Sequence, residues 1–227
     1  MNQQSDLDAL FEKVLTCIRD SGGRIKVRDI EHEPFDINNP NHVNRLRQKF
    51  TDGRANKFPV MPQTRSDSAV IQIAQTWFGI NMPSDAIDNL HKKVMAAENF
   101  VGWILERYLA ARLEPLGWVW LSGNIVQAAD FIYFDPLCSW VFVQIKNRDN
   151  TENSSSSKIR EGTGIIKWFR MFSRNDSFNW DKFPLPDGCN VPLSESDFAG
   201  FIEQYLNSDS AWEHRSLYSV PQLNQDL

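Results

Sequence analysis

The sequence predicts a mixed α/β (α+β) fold, in which a mixed β-sheet is flanked by helices and preceded by a mostly helical N-terminal part. Two observations predict it. Apolar residues recur at helical spacing through the first half of the chain, and short strand-like runs separated by turn residues follow Pro115. A length of 227 residues with 41% hydrophobic content is enough to form a real core. We expect a helical N-terminal region (1–82), a core (83–207) and a tail (208–227).

Four helices are predicted before the strands, because apolar residues lie three and four positions apart. They cover residues 6–20, 41–50, 66–78 and about 83–114. The first is followed by Gly22-Gly23, which is typical of a helix end. Pro83 lies in the first turn of the last helix, and Pro115 ends it.

The pattern then changes to strands, predicted over residues 118–121, 127–134 and 140–146. Asp135-Pro136 forms the turn between the second and the third. Ser156 or Ser157 is predicted to cap a helix from about Lys158 to Phe172. A last helix is predicted after Ser194, and the tail beyond it is polar.

Charge is distributed unevenly along a chain whose net charge is -5. Residues 45–65 hold six Lys or Arg against one Asp, and residues 144–174 hold seven against three acids. Two basic tracts on an acidic body are typical of a nucleic-acid-binding surface, although solvated loops would give the same charge pattern.

The sequence argues against several classes of protein. It contains no apolar run long enough to span a membrane and no secretory signal pattern. Three scattered cysteines exclude a disulfide framework and a cysteine zinc site, which favours the reducing cytoplasm.

Polar residues suited to phosphodiester hydrolysis lie on the last two predicted strands. Gln144 and Lys146 are two positions apart and therefore project to the same side of their strand, and Asp130 lies on the neighbouring strand. Carboxylates hold Mg²⁺, which activates a water molecule, and a lysine orients that water or stabilises the transition state. Alternatively, Asp130 only caps a turn and Lys146 only flanks a strand.

This arrangement resembles the PD-(D/E)xK nuclease core, with Gln144 in place of the second acid. The resemblance implies a catalytic set of Asp130, Gln144, Lys146, Glu161 and Glu106. Some restriction endonucleases of this fold place the missing carboxylate on the following helix, and Glu161 is at about that position. The preceding helix often adds another acid, for which Glu106 is preferred to Glu98. The implied metal ligands are Asp130, Glu161 and the amide oxygen of Gln144, with Mg²⁺ as the cofactor.

The polar segment after the third strand is predicted to contact DNA. Arginine, asparagine and acidic side chains are the usual readers of base edges, which gives Arg148, Asp149, Asn153, Lys158 and Arg160 as candidates. Ser156 at a helix N-terminus suits a backbone phosphate. In the N-terminal basic tract, Arg45 and Arg47 are predicted phosphate contacts.

The stretch from Ala97 to Gly102, the run Gln144 to Asn150 and the segment SSSSKIREGTGIIKWFR are similar to type II restriction endonucleases of the SinI/AvaII kind. The resemblance implies Mg²⁺-dependent cleavage of double-stranded DNA at GGWCC, where W is A or T. The likeness covers roughly residues 95–175. We accordingly expect the endonuclease core in residues 83–207 and a DNA-binding or accessory part in residues 1–82. The resemblance also implies a homodimer that matches a nearly palindromic site, and a cognate DNA methyltransferase.

The residues alone leave three other interpretations of the function open. One is a repair-type nuclease of the same fold that recognises DNA structure rather than sequence. Another is a non-catalytic DNA-binding module whose acid has decayed to Gln144. The third is a protein-interaction domain whose basic tracts meet an acidic partner.

Overall fold

In a computed structural model, the structure describes residues 3–30, 32–55, 58, 64–137, 139–150, 158, 160–189 and 191–208. The chain forms two compact units. The larger contains residues 1–57 and 105–227, and the smaller contains residues 58–104. The predicted functional division at residues 82 and 207 stays a prediction, and most of the predicted tail lies outside the described residues. None of the described helices is both long enough and apolar enough to cross a membrane.

The helices predicted from the N-terminal half are confirmed. They are α1 (Gln3–Asp20), α2 (Pro40–Ala55), α3 (Ser68–Thr76) and α4 (Ser84–Leu113), and α5 (Glu195–Leu206) follows the sheet. Side-chain caps explain where two of them begin. Asp67 accepts a hydrogen bond from the Ala69 amide at the start of α3, and Ser194 accepts one from the Asp197 amide at the start of α5.

The four strands form one mixed sheet with the order β1-β2-β3-β4. They are β1 (Val119–Trp120), β2 (Phe131–Asp135), β3 (Ser139–Arg148) and β4 (Ile166–Met171). The pairs β1–β2 and β2–β3 are antiparallel, and β3–β4 is parallel, with Val143 beside Ile166. Three of these strands were predicted, although β2 begins four residues later than expected. Residues 127–128 form a turn instead, in which Ala128 has a φ of 58°.

The predicted helix from Lys158 to Phe172 is wrong over most of its length. Only residues 158 and 160 are described as helical, residues 161–163 form a turn, and Ile166–Met171 is strand β4. Within β4, the buried residues Trp168 and Arg170 alternate with more exposed neighbours. Over so short a run, spacings of two and of 3.6 residues fit the same apolar positions, and pairing with β3 decides the outcome. The predicted Ser156 or Ser157 cap lies outside the described residues.

Side chains on both faces of the sheet are buried within the larger unit. One face packs against α1 and α2 through Phe11, Leu46, Phe50, Ile132 and Phe142. On the opposite face, the C-terminal part of α4 and helix α5 form an aromatic cluster with β4 and its surroundings. Ring contacts there join Tyr108, Trp168, Trp180, Phe183 and Phe198. The larger unit is therefore a helix–sheet–helix arrangement.

Two glycines allow α2 to approach the turn after β1 very closely. A Cβ on Gly123 would lie 2.1 Å from the Lys49 carbonyl oxygen, and a Cβ on Gly53 would lie 2.2 Å from the Gly123 nitrogen. Gly123 also has a φ of 73°, which favours glycine. The hydroxyl of Ser122 donates to the Phe50 carbonyl oxygen at 2.7 Å, so the end of α2 is held directly against this turn.

Arginines fasten α2, α4 and β1 together. Arg54 makes a bidentate ion pair with Glu114 at 2.7 and 3.0 Å and donates to the Trp120 carbonyl oxygen. Arg107 donates to the carbonyl oxygens of Gly53 and Arg54 at the C-terminal end of α2. Both guanidinium groups lie over the Trp120 ring, at 5.4 and 5.2 Å from its centroid. These contacts orient the segment of α4 that carries Glu106.

The smaller unit contains α3 and the N-terminal two thirds of α4. Lys92 bridges the Asp88 carboxylate and the Ser66 hydroxyl, which ties the start of the unit to α4. Phe58, Phe100 and Trp103 form a ring cluster with centroids 5.5 to 6.3 Å apart. Local contacts of this kind hold the unit together.

Candidate active site

Asp130 lies immediately before β2 and is fixed by three hydrogen bonds. Its amide donates to the Val143 carbonyl oxygen, and its carbonyl oxygen accepts from the Leu121 amide. Its carboxylate accepts a hydrogen bond from the Ile145 amide at 2.7 Å. The side chain is thereby held at β3 beside the residue that separates Gln144 from Lys146. Burial raises the pKa of Asp130 to about 6, while the Ile145 amide and the Lys146 charge act to lower it.

Glu106 reaches the same place from α4. The indole Nε1 of Trp120 donates to Glu106 Oε2 at 2.9 Å. Burial, and after it repulsion from the Asp130 carboxylate, together raise the pKa of Glu106 to about 8. The Trp120 hydrogen bond and the charges of Lys146 and Arg107 oppose the rise. The two carboxyl groups and the lysine therefore lie close enough to act on one another.

Lys146 and Gln144 occupy the same side of β3, because strand residues two positions apart share a face. Lys146 is partly buried and lies beside Phe169 of β4. Gln144 is only 4% exposed, and its side-chain oxygen accepts a hydrogen bond from Arg160 Nη1. This bond engages the same oxygen that the resemblance assigned to a metal ion.

The chemistry of Glu106 and Asp130 suits a small hard cation. Two carboxylates in a poorly hydrated setting repel each other, and a bound divalent ion would relieve that repulsion. Within the part of the chain that the structure describes, no three His, Cys, Asp or Glu side chains come together as a possible metal site. Magnesium is usually held by one or two carboxylates with water completing its shell, so a pair is sufficient. The donor set thus fits Mg²⁺.

Glu161 lies in the exposed turn of residues 161–163. Its proposed position one turn into a helix rested on a helix that the structure replaces with a turn and a strand. A metal-ligand role for Glu161 stays a prediction.

The residues expected to contact DNA differ in their surroundings. Arg148, at the end of β3, and Lys158 are exposed. The Asp149 carboxylate accepts from the Ser173 amide at 2.8 Å, and its carbonyl oxygen accepts from Lys167 Nζ at 2.9 Å. These bonds tie the turn after β3 to β4 and to the residues that follow it. Hydrogen bonding with Ser173 keeps the pKa of Asp149 below its usual range. Asn153 and Ser156 lie outside the described residues.

On α2, Arg45 is exposed, whereas the guanidinium of Arg47 bonds to carboxylates of α1. Its partners are Asp8 and Glu12, and it lies 4.6 Å from the centroid of the Phe11 ring. Arg47 thus joins α1 to α2, and a phosphate would have to compete with these partners. Both phosphate contacts stay predictions.

Sequence reasoning missed Trp120 and Arg107, which surround Glu106. For Trp120, the pairing of β1 with β2 would have indicated its position. Trp120 lies opposite Phe131, the residue after Asp130, so a bulky side chain on β1 comes next to the site. Arg107 is adjacent to Glu106 on α4, but its function depends on the approach of α2, which no local pattern predicts.

Comparison with known proteins identifies the family of this chain. The family model for the SinI restriction endonuclease matches residues 2–208. The type II restriction enzyme SinI of Salmonella infantis is 47% identical over 167 residues, which cover 73% of this chain and 72% of that protein. The type II restriction enzyme Eco47I of Escherichia coli is 46% identical over 167 residues, with the same two coverages. The resemblance predicted from the sequence is therefore confirmed: the chain belongs to the SinI restriction endonuclease family and is a type II site-specific deoxyribonuclease that acts on double-stranded DNA.

Proposed function

We propose that this enzyme cleaves duplex DNA at GGWCC with Mg²⁺, as a homodimer, through a site of the PD-(D/E)xK type. The observation that carries the proposal is the juxtaposition of Glu106, Asp130 and Lys146 where β2 and β3 meet. The order of elements supports it. A long helix precedes three antiparallel strands, and a fourth strand lies parallel to the third.

Glu106 and Asp130 are the residues that would hold the metal. Bound there, Mg²⁺ supplies a water molecule of lowered pKa and neutralises charge that develops on the phosphate. The Ile145 amide and the Trp120 indole each donate to one of these carboxylates and set its direction. Second partners of this kind keep ligands oriented before the substrate arrives.

Lys146 is the cation of the site. Its Nζ would orient the attacking water and steady the negative charge on the scissile phosphate. The charge of Lys146 acts on the carboxyl groups of both Asp130 and Glu106, the two proposed metal ligands. A preorganised cation at a phosphoryl group is among the strongest contributions to catalysis.

The homodimer follows from the symmetry of the proposed target. GGWCC is nearly palindromic, so two copies related by a two-fold axis meet equivalent half-sites and place one set of Glu106, Asp130 and Lys146 at each strand. A cell that contains such an enzyme must protect the same sequence in its own DNA. A cognate DNA methyltransferase is therefore the expected partner of the system.

The test is a digest of phage-length duplex DNA with purified protein, in Mg²⁺ and in EDTA, followed by sequencing of the ends. Discrete fragments that share GGWCC, formed only with Mg²⁺, would support the proposal. Fragments that share another sequence would overturn the assigned target. Salt-sensitive binding without cutting in any divalent metal would instead indicate a non-catalytic module.

Single variants test the site itself. Asp130→Asn is expected to abolish cleavage and leave the fold intact, whereas Asp181→Asn, an exposed aspartate beyond β4, serves as the matched control and should cut normally. Normal cutting by Asp130→Asn would refute the assignment. Glu161→Gln tests the remaining carboxylate: lost cleavage with intact folding would favour its metal role, and retained cleavage would reject that role.

A further inference from the structure

Gln144 is an unusual residue for its position. It stands where the resemblance predicts an acidic metal ligand, it is 4% exposed, and a buried polar side chain needs a hydrogen-bonding partner. That partner is Arg160, whose Nη1 donates to Gln144 Oε1. The side-chain oxygen of Gln144 therefore accepts a hydrogen bond from a cation in the segment between β3 and β4.

This bond brings a guanidinium to the edge of the catalytic group. Gln144 lies on the same face of β3 as Lys146, about 7 Å away along the strand. Ile145, between them, donates its amide to the Asp130 carboxylate. Arg160 is therefore bound to the side chain that neighbours Lys146 on one face of β3, although Arg160 and Gln144 are 16 residues apart in the chain.

The choice of an amide rather than an acid matters for charge. A glutamate at position 144 would form an ion pair with Arg160 and reduce the charge that the guanidinium presents to DNA. The amide oxygen accepts the hydrogen bond and contributes no net charge. A guanidinium presents several N–H groups in a rigid, planar arrangement. Its planar fork suits a phosphate.

We propose that Gln144 is a positioning residue that holds Arg160 against the scissile phosphate, where the guanidinium stabilises charge in the transition state. This inference rests on the proposed nuclease site. It assigns Arg160 to the phosphate at the cut bond instead of a base edge, and it assigns Gln144 to Arg160 instead of a metal ion. The loss of the second acid is thereby matched by the gain of a second cation beside Lys146.

A double-mutant cycle tests the inference, with Gln144→Met, Arg160→Ala and the double variant. The readout is the single-turnover cleavage rate of a duplex oligonucleotide that contains the cut site. Each single variant should lose roughly 100-fold or more in rate, as when one preorganised donor is removed from a transition state. The double variant should be no slower than Arg160→Ala alone, because Gln144 acts only through Arg160.

Three further readouts separate this role from a structural one. Millimolar guanidinium should restore part of the rate of Arg160→Ala and none of the rate of Lys146→Ala. The Mg²⁺ concentration at half-maximal rate should be unchanged in Gln144→Met. The sequence at the cut ends should be unchanged in Arg160→Ala. Arg28→Ala, which removes an exposed arginine from the loop after α1, is the control for loss of one positive charge.

Several results would overturn the inference while the parent enzyme still cuts. They are near-normal rates in Arg160→Ala, multiplicative losses in the double variant, a raised Mg²⁺ requirement in Gln144→Met, or an altered cut sequence in Arg160→Ala. A circular dichroism spectrum and an unfolding midpoint for each variant exclude misfolding as the cause of a lost rate. A parent enzyme that never cuts would instead refute the proposed function, and this inference with it.

Discussion

Replacing Glu106 by Gln should stabilise the metal-free protein while it abolishes cleavage. Gln has nearly the same shape as Glu, and its side-chain oxygen can still accept the hydrogen bond from the Trp120 indole. The substitution removes only the charge. In the parent, that charge is opposed by burial and by the neighbouring Asp130 carboxylate. Residues that bind a metal ion or a substrate commonly destabilise the protein when that ligand is absent.

The size of the effect follows from the pKa of Glu106, which the fold raises from its ordinary value of 4.5 to about 8. Between these two values the native state keeps a proton that the unfolded chain has lost, so stability falls as the pH rises through this window. One pKa unit corresponds to about 1.4 kcal/mol, so by pH 7 the loss attributable to Glu106 is about 3 kcal/mol. Glu106→Gln should recover a stabilisation of that order.

The assay is urea unfolding in EDTA at several pH values between about 5 and 8. The parent should lose stability steadily across the range. The stability of Glu106→Gln should depend less steeply on pH. The dependence that remains comes from Asp130, whose pKa is also raised. Added Mg²⁺ should stabilise the parent more than the variant, because ligands stabilise the state that binds them.

Glu161→Gln is the matched control, since it makes the same chemical change at an exposed turn. Its unfolding midpoint should follow the parent at every pH. The reasoning would be refuted if Glu106→Gln were less stable than the parent at pH 7 in EDTA, or if both variants had the same pH dependence.

Three other changes have expected outcomes. Gly123→Ala should cost about 3 kcal/mol in urea unfolding, because its Cβ would meet the α2 backbone at 2.1 Å, whereas Gly22→Ala, also at positive φ but in open space, should cost about 1 kcal/mol. Equal losses would contradict the packing argument. Lys146→Ala should lower the cleavage rate at least about 100-fold yet keep salt-dependent duplex binding in a mobility-shift assay, and cleavage close to the parent rate would refute its role. Glu114→Gln should lower stability by roughly 2 kcal/mol, because it removes the charged partner of the largely buried Arg54, and an unchanged urea midpoint would contradict this.

Much of the site was predictable from strand periodicity. The two-residue spacing on β3 correctly places Gln144 and Lys146 on one side, and Asp130 before β2 comes beside them because adjacent strands pair. The preference for Glu106 over Glu98 agrees with the electrostatic coupling between Glu106 and Asp130. Local spacing was informative here because strand alternation and strand pairing are short-range constraints.

The segment after β3 shows where local pattern fails. Its apolar residues fit a helix and a strand equally well over six positions, and only the parallel pairing with β3 makes Ile166–Met171 a strand. The expected helical placement of Glu161 failed for this reason. The contact between Arg160 and Gln144 likewise depends on how the chain returns to the sheet edge.

The sequence by itself determined the class of fold, most of the helices, three of the four strands and the restriction endonuclease family, whereas the acid–lysine site that it indicates stays a proposal. The fold class, the helices and the strands follow from residue spacing, caps and turns, which act within a few positions of the chain. Only the tertiary structure decided that Glu106 and Asp130 share one poorly hydrated place, that Arg54 joins α2 to β1 while Arg107 joins α4 to α2, and that Gln144 holds an arginine. Burial and charge coupling are properties of groups brought together from distant parts of the chain, so no local pattern contains them.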